Sequence, residues 1–377
     1  QAPIIIPFEL NIAGEHITYE VPLVHKSNDP VKGEVFQPLA VTPPVAINFR
    51  DKVQVFADET PRTFQVTIKG GLEQLKGELS LEVPDTWKVA PDVFSFELSK
   101  KGEEQQFTFT ITPPEKSGEG KIKAVAKVGE QHYSMERVNI AYDHIPHQVL
   151  FPEAAAKVVK LDIYAGGHNI GYVMGAGDDI PASLRQIGYK VELLEMDNLN
   201  PAKLSQYTAI ILGIRALNTV ERLKFQMETL LAYAEQGGTL IVQYNTSHRL
   251  VTNEFAPYPL QLSRDRVSVE DASVQFLTPE HRILNYPNKI TSADFDGWIQ
   301  ERGLYFPNQW DQRYQAILST NDPGESPKHG GLLVAEYGKG YYIYTGLSWF
   351  RELPAGVPGA FRLFANLISI GLQEPDN

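Results

Sequence analysis

The 377 residues are 42% hydrophobic and 21% charged, enough apolar material for two or three domains with buried cores. A formal net charge of -12 argues against nucleic acid and anionic lipid as partners, since that binding rests on Lys and Arg releasing counterions and no basic cluster offsets the acidity. The absence of cysteine removes disulfides, thiolate metal ligands and a thiol nucleophile together.

No apolar stretch approaches the roughly 18–20 residues that cross a bilayer, so no membrane span is expected and the chain reads as soluble. Gln1 in place of Met, with only Ile4 to Ile6 apolar behind it, reads as a processed end or a chosen boundary. Residues 1–45 hold strands at 8–12 and 16–21, too few for a domain, and read as the rear of a preceding β domain. Residues 46–150 are short runs of Val, Ile, Phe and Thr between Pro, Gly and Asp turn signals. In Phe64-Gln65-Val66-Thr67-Ile68 and Phe107-Thr108-Phe109-Thr110-Ile111-Thr112 apolar and polar side chains alternate, the pattern of strands with one face on a core. This segment is expected to be an all-β, immunoglobulin-like sandwich.

After Pro152 strands and helices alternate, which predicts a mainly parallel sheet covered on both faces over residues 151–377. The strands expected at 170–174, 190–194, 208–212, 239–243 and 341–345 are separated by helical patterns. Residues 219–236 place Leu223, Met227, Leu230, Leu231 and Ala234 on one helical face and stop at Gly237-Gly238. A closing helix is expected at 360–370.

Open parallel sheets bind ligands beyond the carboxyl ends of their strands. Three polar loops there, 175–181, 213–218 and 244–247, bring Asp178, Asp179, Arg215, Asn218, Tyr244 and Asn245 to a candidate ligand rim. The bland alternative is that Asp178 and Asp179 cap one helix while Asn218 and Thr219 cap the next. The Gly175-Ala176-Gly177 turn lacks the third glycine of a dinucleotide fingerprint, and its two carboxylates would repel a diphosphate. Hydroxyl-rich ligands, or a cation, suit those carboxylates better. Asp143-His144-Ile145-Pro146-His147 reads as a linker and not as a metal site, because the proline breaks any helix that would align the pair. Neither Gly346-Leu347-Ser348 nor Ser247-His248 has the pattern of a catalytic serine.

A second polar and aromatic surface is expected from Arg264, Asp265, Arg266, Trp298, Glu301, Arg302, Tyr305, Trp349 and Arg351. Such an alternation fits surface ion pairs or a carbohydrate or protein contact equally.

Four stretches, Tyr172-Val173-Met174-Gly175-Ala176-Gly177-Asp178-Asp179-Ile180-Pro181, Gln243-Tyr244-Asn245-Thr246, Leu262-Ser263-Arg264-Asp265-Arg266-Val267 and Gly346-Leu347-Ser348-Trp349-Phe350-Arg351-Glu352-Leu353-Pro354, resemble the rear portion of large bacterial PIG-L (LmbE-like) deacetylases. The resemblance implies an attached N-terminal domain that removes acetyl from an N-acetylglucosamine-type sugar with a metal, usually zinc, held by a His-Pro-Asp-Asp motif. None of the nine histidines here precedes proline, so the catalytic domain, its zinc and any other cofactor are expected outside this chain. The α/β part is similar to ThuA-like and class I glutamine amidotransferase-like domains, which implies a flavodoxin-like, three-layer fold. Amidotransferases carry cysteine at the bend after the strand ending here at Gln243, where this chain has Tyr244 and Asn245, neither able to attack a carbonyl unaided. The segment Val83-Pro84-Asp85-Thr86-Trp87-Lys88-Val89-Ala90-Pro91 resembles domains appended to α-galactosidases. Together these resemblances imply a non-catalytic accessory region in carbohydrate surroundings, periplasmic or extracellular. Two rivals stay open: a hydrolase using Asp178, Asp179 or Glu301 as base, and a purely structural or oligomerising module.

Overall fold

The computed structural model describes residues 4–373, so Gln1 and the reading of the chain start lie outside it. The chain divides into two compact units. Residues to Lys52, Glu59–Glu115 and Glu119–Val158 form the first, and Val53–Asp58, Lys116–Gly118 and the chain from Val159 onward the second.

The first unit is β throughout. Its core is a pair of facing sheets. One has four strands in the order Val45–Phe49, Arg62–Gly70, Glu104–Thr112, Lys88–Ala90, and the other runs Val93–Leu98, Leu75–Glu82, Gly118–Val128. The alternation anticipated from sequence places Phe64, Val66, Ile68, Phe107, Phe109 and Ile111 inward from the first sheet, with Leu79, Leu81, Ile122 and Ala124 inward from the second. Phe94 crosses the gap, its ring 5.2 Å from Phe107 and 5.0 Å from Phe109. The unit is therefore a β-sandwich. Ahead of it stand two hairpins, Ile5–Ile12 with Glu15–Pro22 and Val24–Asp29 with Gly33–Pro38. In the first hairpin Ile6 faces Val21, Phe8 faces Tyr19 and Leu10 faces Ile17, so one side is apolar, yet Phe8 is 48% and Tyr19 62% exposed.

The second unit is built on a seven-stranded sheet. Five strands are parallel: β1 (Asn169–Val173), β2 (Lys190–Leu193), β3 (Ala209–Leu212), β4 (Thr239–Gln243) and β5 (Gly340–Thr345), lying side by side as 2-1-3-4-5. Leu332–Tyr337 and Gln315–Ala316 extend the sheet antiparallel beyond β5. Every second residue of a strand faces the same way, and both faces are apolar. Ile211, Ile241 and Ile343 join one core with helices α1 (Ile180–Gln186) and α4 (Pro358–Ser369). Ile210, Leu212, Leu240, Val242, Tyr342 and Tyr344 join the other with helix α3 (Leu223–Glu235). The layers are helix, sheet, helix.

One helix boundary differs from the sequence reading. The helix expected at 219–236 is two helices, a short α2 (Ala216–Thr219) and α3, which begins at Leu223. Asn218 and Thr219 therefore cap nothing: Thr219 ends α2, and the residue ahead of α3 is Arg222. Asn218 has another use. Its amide donates to Thr246 O and His248 O, and its Oδ1 accepts from Thr246 N at 2.9 Å, fastening the turn after β3 to the loop after β4. Among the described residues no helix is long and apolar enough to cross a membrane.

Candidate functional site

At the carboxyl ends of β1, β3 and β4 the three polar loops do converge. Tyr172, at the end of β1, donates to Asp178 Oδ1 at 2.7 Å, and Gln243 Nε2, at the end of β4, donates to the Tyr172 hydroxyl at 3.0 Å. Asp178 also accepts from Ile180 N at 3.1 Å and from the backbone N–H of Ile214. Burial raises its pKa, and the three donors oppose the rise by stabilising the carboxylate. The carboxylate thus ties the end of β1 and its own loop to the loop after β3. Asp179 is exposed and occupies the position before α1 without a side-chain cap bond, so the capping role falls to Asp178 alone.

The loops touch closely where Ala176 N donates to Ile214 O at 2.9 Å. Gly175 makes the approach possible: a Cβ there would lie 2.1 Å from Ile214 O and 2.8 Å from Ala216 N, both backbone atoms. Gly175→Ala is expected to cost about 2–3 kcal/mol of stability, read from the urea midpoint, because neither atom can move without breaking the turn. An unchanged midpoint would show that the loops part freely.

The sharp strand-to-helix bend is also elsewhere than expected. It lies after β3, where Arg215 holds a left-handed backbone with φ +55°, and not at Tyr244, after which the chain runs on without a helix. The residue at the bend therefore carries a guanidinium, which is no nucleophile. Arg215 N donates to Tyr244 O at 2.8 Å, and its side chain is exposed. Asn245 is fully buried and structural: Oδ1 accepts from Leu217 N at 2.8 Å, and Nδ2 donates to Gln243 O at 2.8 Å.

Tyr244 links the two regions that the sequence separated. Its ring lies 6.1 Å from that of Tyr305 at an interplanar angle of 7°, and 5.5 Å from that of Phe350. Burial raises its pKa, the nearby Arg215 and Arg351 lower it and Glu301 adds to the rise, so all three charges lie around one phenol. Arg351 pairs with Glu301 at 2.8 Å and lies over the Phe350 ring at 4.7 Å. The rim thus adjoins Glu301, Tyr305 and Arg351 of the second polar surface at Tyr244. Beside Tyr305 a cavity of about 150 Å³ is lined by Arg264, Arg266, Leu304 and Tyr305.

The antiparallel pair Leu260–Val267 and Gly303–Trp310 positions that end of the site. Its register shifts between Leu262 and Asp265 and again between Asp265 and Val267, and the latter irregularity faces Leu304 and Tyr305. Tyr305 sits there with φ +52°, a conformation that costs a bulky residue of order 1–3 kcal/mol. Bulges re-aim side chains, and here one holds an aromatic at the cavity.

Three expected surface residues are core residues instead. Trp298 is 4%, Arg302 4% and Trp349 0% exposed. Arg302 donates from Nε to Ala272 O at 2.9 Å and from Nη1 to Phe295 O at 2.5 Å, with its guanidinium 5.4 Å from the Trp298 ring. Trp298 Nε1 donates to Asp294 O and Trp349 Nε1 to Thr345 Oγ1, so each indole is satisfied indoors. Asp265 is half-buried between its exposed arginine neighbours. Sequence reasoning missed Gln243 and Glu352 as buried polar groups. A glutamine closing the otherwise apolar run Thr239-Leu240-Ile241-Val242 was the available signal for the first.

In the linker, Asp143 pairs with Lys32 and His147 Nδ1 lies 3.3 Å from Gln37 Nε2.

Residues 58–129, which hold the strands Arg62–Gly70 to Gly118–Val128, match the family model described as the NPCBM-associated, NEW3 domain of alpha-galactosidase. The match agrees with the resemblance read from residues 83–91. No curated protein matches the chain. Among solved structures, an exo-beta-1,4-mannosidase from Opitutaceae bacterium strain TAV5 is 13% identical with a TM-score of 0.33, covering 56% of this chain and 37% of that one. A family 123 glycoside hydrolase from Clostridium perfringens is 9% identical with a TM-score of 0.22, covering 53% and 38%. Native alpha-2-macroglobulin from Escherichia coli, from domain MG7 to the C-terminus, is 13% identical with a TM-score of 0.22, covering 31% and 16%. This chain spans well under two thirds of each of those three.

Proposed function

We propose that this chain is a non-catalytic accessory region of a larger carbohydrate-active protein, in which the rim of the α/β unit contacts sugar. The observation that carries the reading is the half-buried ring of Tyr305, backed by the buried Tyr244 at an interplanar angle of 7° with Phe350 beside it, and edged by Arg215, Arg351 and Glu301 beyond the carboxyl end of a parallel strand. The NEW3 match supports the sugar setting, and with it a periplasmic or extracellular place. We assign the catalytic partner to the PIG-L class, a zinc-dependent sugar N-deacetylase joined ahead of this chain, on the motifs at 172–181, 243–246, 262–267 and 346–354. Residues 1–45 belong in that reading to a preceding β domain, and the uncovered apolar side of the first hairpin supports it. The strand order 2-1-3-4-5 supports a flavodoxin-like, amidotransferase-like ancestry for the second unit.

The geometry favours binding over hydrolysis. A general base must offer a free lone pair to substrate; of the three candidates, Asp178 has its oxygens engaged by Tyr172, Ile180 and Ile214 and Glu301 is held by Arg351, so hydrolysis would rest on the exposed Asp179 alone. A glycan array probed with the whole chain is expected to show retention of pyranose oligomers, lost in Tyr305→Gly. Glycine takes the left-handed backbone at no cost, so that variant removes the ring without unfolding the strand. Silence across the array would leave the structural module as the better account.

A further inference from the structure

Three arginines at the rim lack the partners that arginines elsewhere in the unit have. In the same unit Arg222 pairs with Asp197, Arg313 with Asp311, Arg351 with Glu301 and Arg362 with Asp294. Arg215, Arg264 and Arg266 have no ion pair and no side-chain hydrogen bond among the described residues, in a protein whose 46 acidic residues outnumber its 34 basic ones. Arg264 and Arg266 are both exposed, and both border the same opening with Leu304 and Tyr305, which puts them on one face. That face is the wall of the cavity that Tyr305 closes.

We propose that the rim binds an acidic saccharide, with the sugar ring laid on Tyr305 and its anionic group, a carboxylate or sulfate, held by Arg264 and Arg266. The inference rests on the sugar-contact reading above and names the class of sugar. Three features support it beyond the charge. The cavity, at about 150 Å³, is below the roughly 300–1,000 Å³ of pockets that enclose a small ligand, so it seats one substituent while the rest of the ligand lies on the open rim. Guanidinium groups present planar, paired donors that match the oxygens of a carboxylate or sulfate. Tyrosine offers a rigid apolar face with a polar tip, suited to the C–H face of a pyranose, and the parallel stack on Tyr244 braces Tyr305 from behind. The strained backbone of Tyr305 and the irregular pairing opposite Arg266 then have a common purpose, which is to set ring and guanidinium groups around one opening.

Calorimetric titration of the whole chain tests this with four probes: neutral N-acetylglucosamine oligomers, hexuronate oligomers, sulfated N-acetylglucosamine oligomers and sodium sulfate. The acidic oligomers are expected to bind at least about tenfold more tightly than the neutral ones, and more weakly as salt rises. The double variant Arg264→Gln/Arg266→Gln should erase that preference, and Arg313→Gln, which alters an arginine already paired, should not. Whether uronate or sulfate binds better identifies the anion. Neutral and acidic oligomers binding alike, with no effect of the double variant, overturns this inference and leaves the sugar-contact reading standing. Sodium sulfate binding as tightly as the sulfated oligomer also overturns it, since a bare anion site would need no sugar. Silence with all four probes overturns both. The thermal midpoint of each variant is measured alongside, and both exposed substitutions are expected to leave it unchanged.

Discussion

Arg302→Met is expected to destabilise the α/β unit by about 3–5 kcal/mol. The arginine is 4% exposed, and its guanidinium supplies donors to the carbonyls of Ala272 and Phe295, which join segments far apart in sequence. Methionine fills much of the same volume but donates nothing, so both carbonyls are left dry and unpaired, and each such group costs about 1–3 kcal/mol. Glu352 would also lose the cation that favours its charged form. Urea unfolding measures the effect, as a fall in midpoint with little change in slope. A midpoint within error of the parent would mean that the guanidinium is carried at no net benefit, as buried ion pairs sometimes are. Since Arg302 faces inward, the folded fraction of the variant should keep whatever sugar affinity the parent has.

Glu352→Gln is expected to remove a pH dependence. The Glu352 side chain is 0% exposed, its Oε2 accepts from Ile299 N at 2.9 Å, and its Oε1 meets no hydrogen-bonding group among the described residues. Burial pushes its pKa up from 4.5 to about 8, with Ile299, Arg302 and Arg351 resisting the rise. The sign follows from proton counting. Between about 4.5 and about 8 the folded state holds a proton that the unfolded state has released, so stability is full below the lower value and falls as pH rises through the upper one. The loss reaches up to about 1 kcal/mol per pH unit within that window. Glutamine keeps the bond to Ile299 and cannot ionise, so the variant should match the parent near pH 5 and exceed it near pH 8. Denaturation midpoints at four pH values suffice, and parallel slopes for parent and variant would show that Glu352 is ionised in the folded protein.

Both residues stand behind the rim. Ser348 N donates to Arg302 O, and Glu352 sits one residue beyond Arg351, whose side chain reaches Glu301 beside Tyr244.

Local chemistry alone determined the β-sandwich, the five parallel strands and the helix, sheet, helix layering. Each of those is a periodicity, of two in strands such as Arg62–Gly70 and of about 3.6 in helix α3, and period needs only neighbours in the chain to be read. The aromatic and carboxylate composition of the site was also visible, since Tyr244, Glu301 and Tyr305 stand out among apolar runs. Only the tertiary structure decided which of the polar residues work together. Tyr244 and Tyr305 are 61 positions apart and stack because a strand end and a bulge happen to adjoin in space. Trp298, Arg302 and Trp349 look in sequence like their exposed neighbours Arg264 and Arg266, yet they are buried, because burial of a polar or amphipathic side chain depends on whether distant carbonyls and hydroxyls arrive to satisfy it. The left-handed bend at Arg215 was hidden for the same reason: it is held by a bond to Tyr244 O, from the next strand, and not by any feature of the residues beside it.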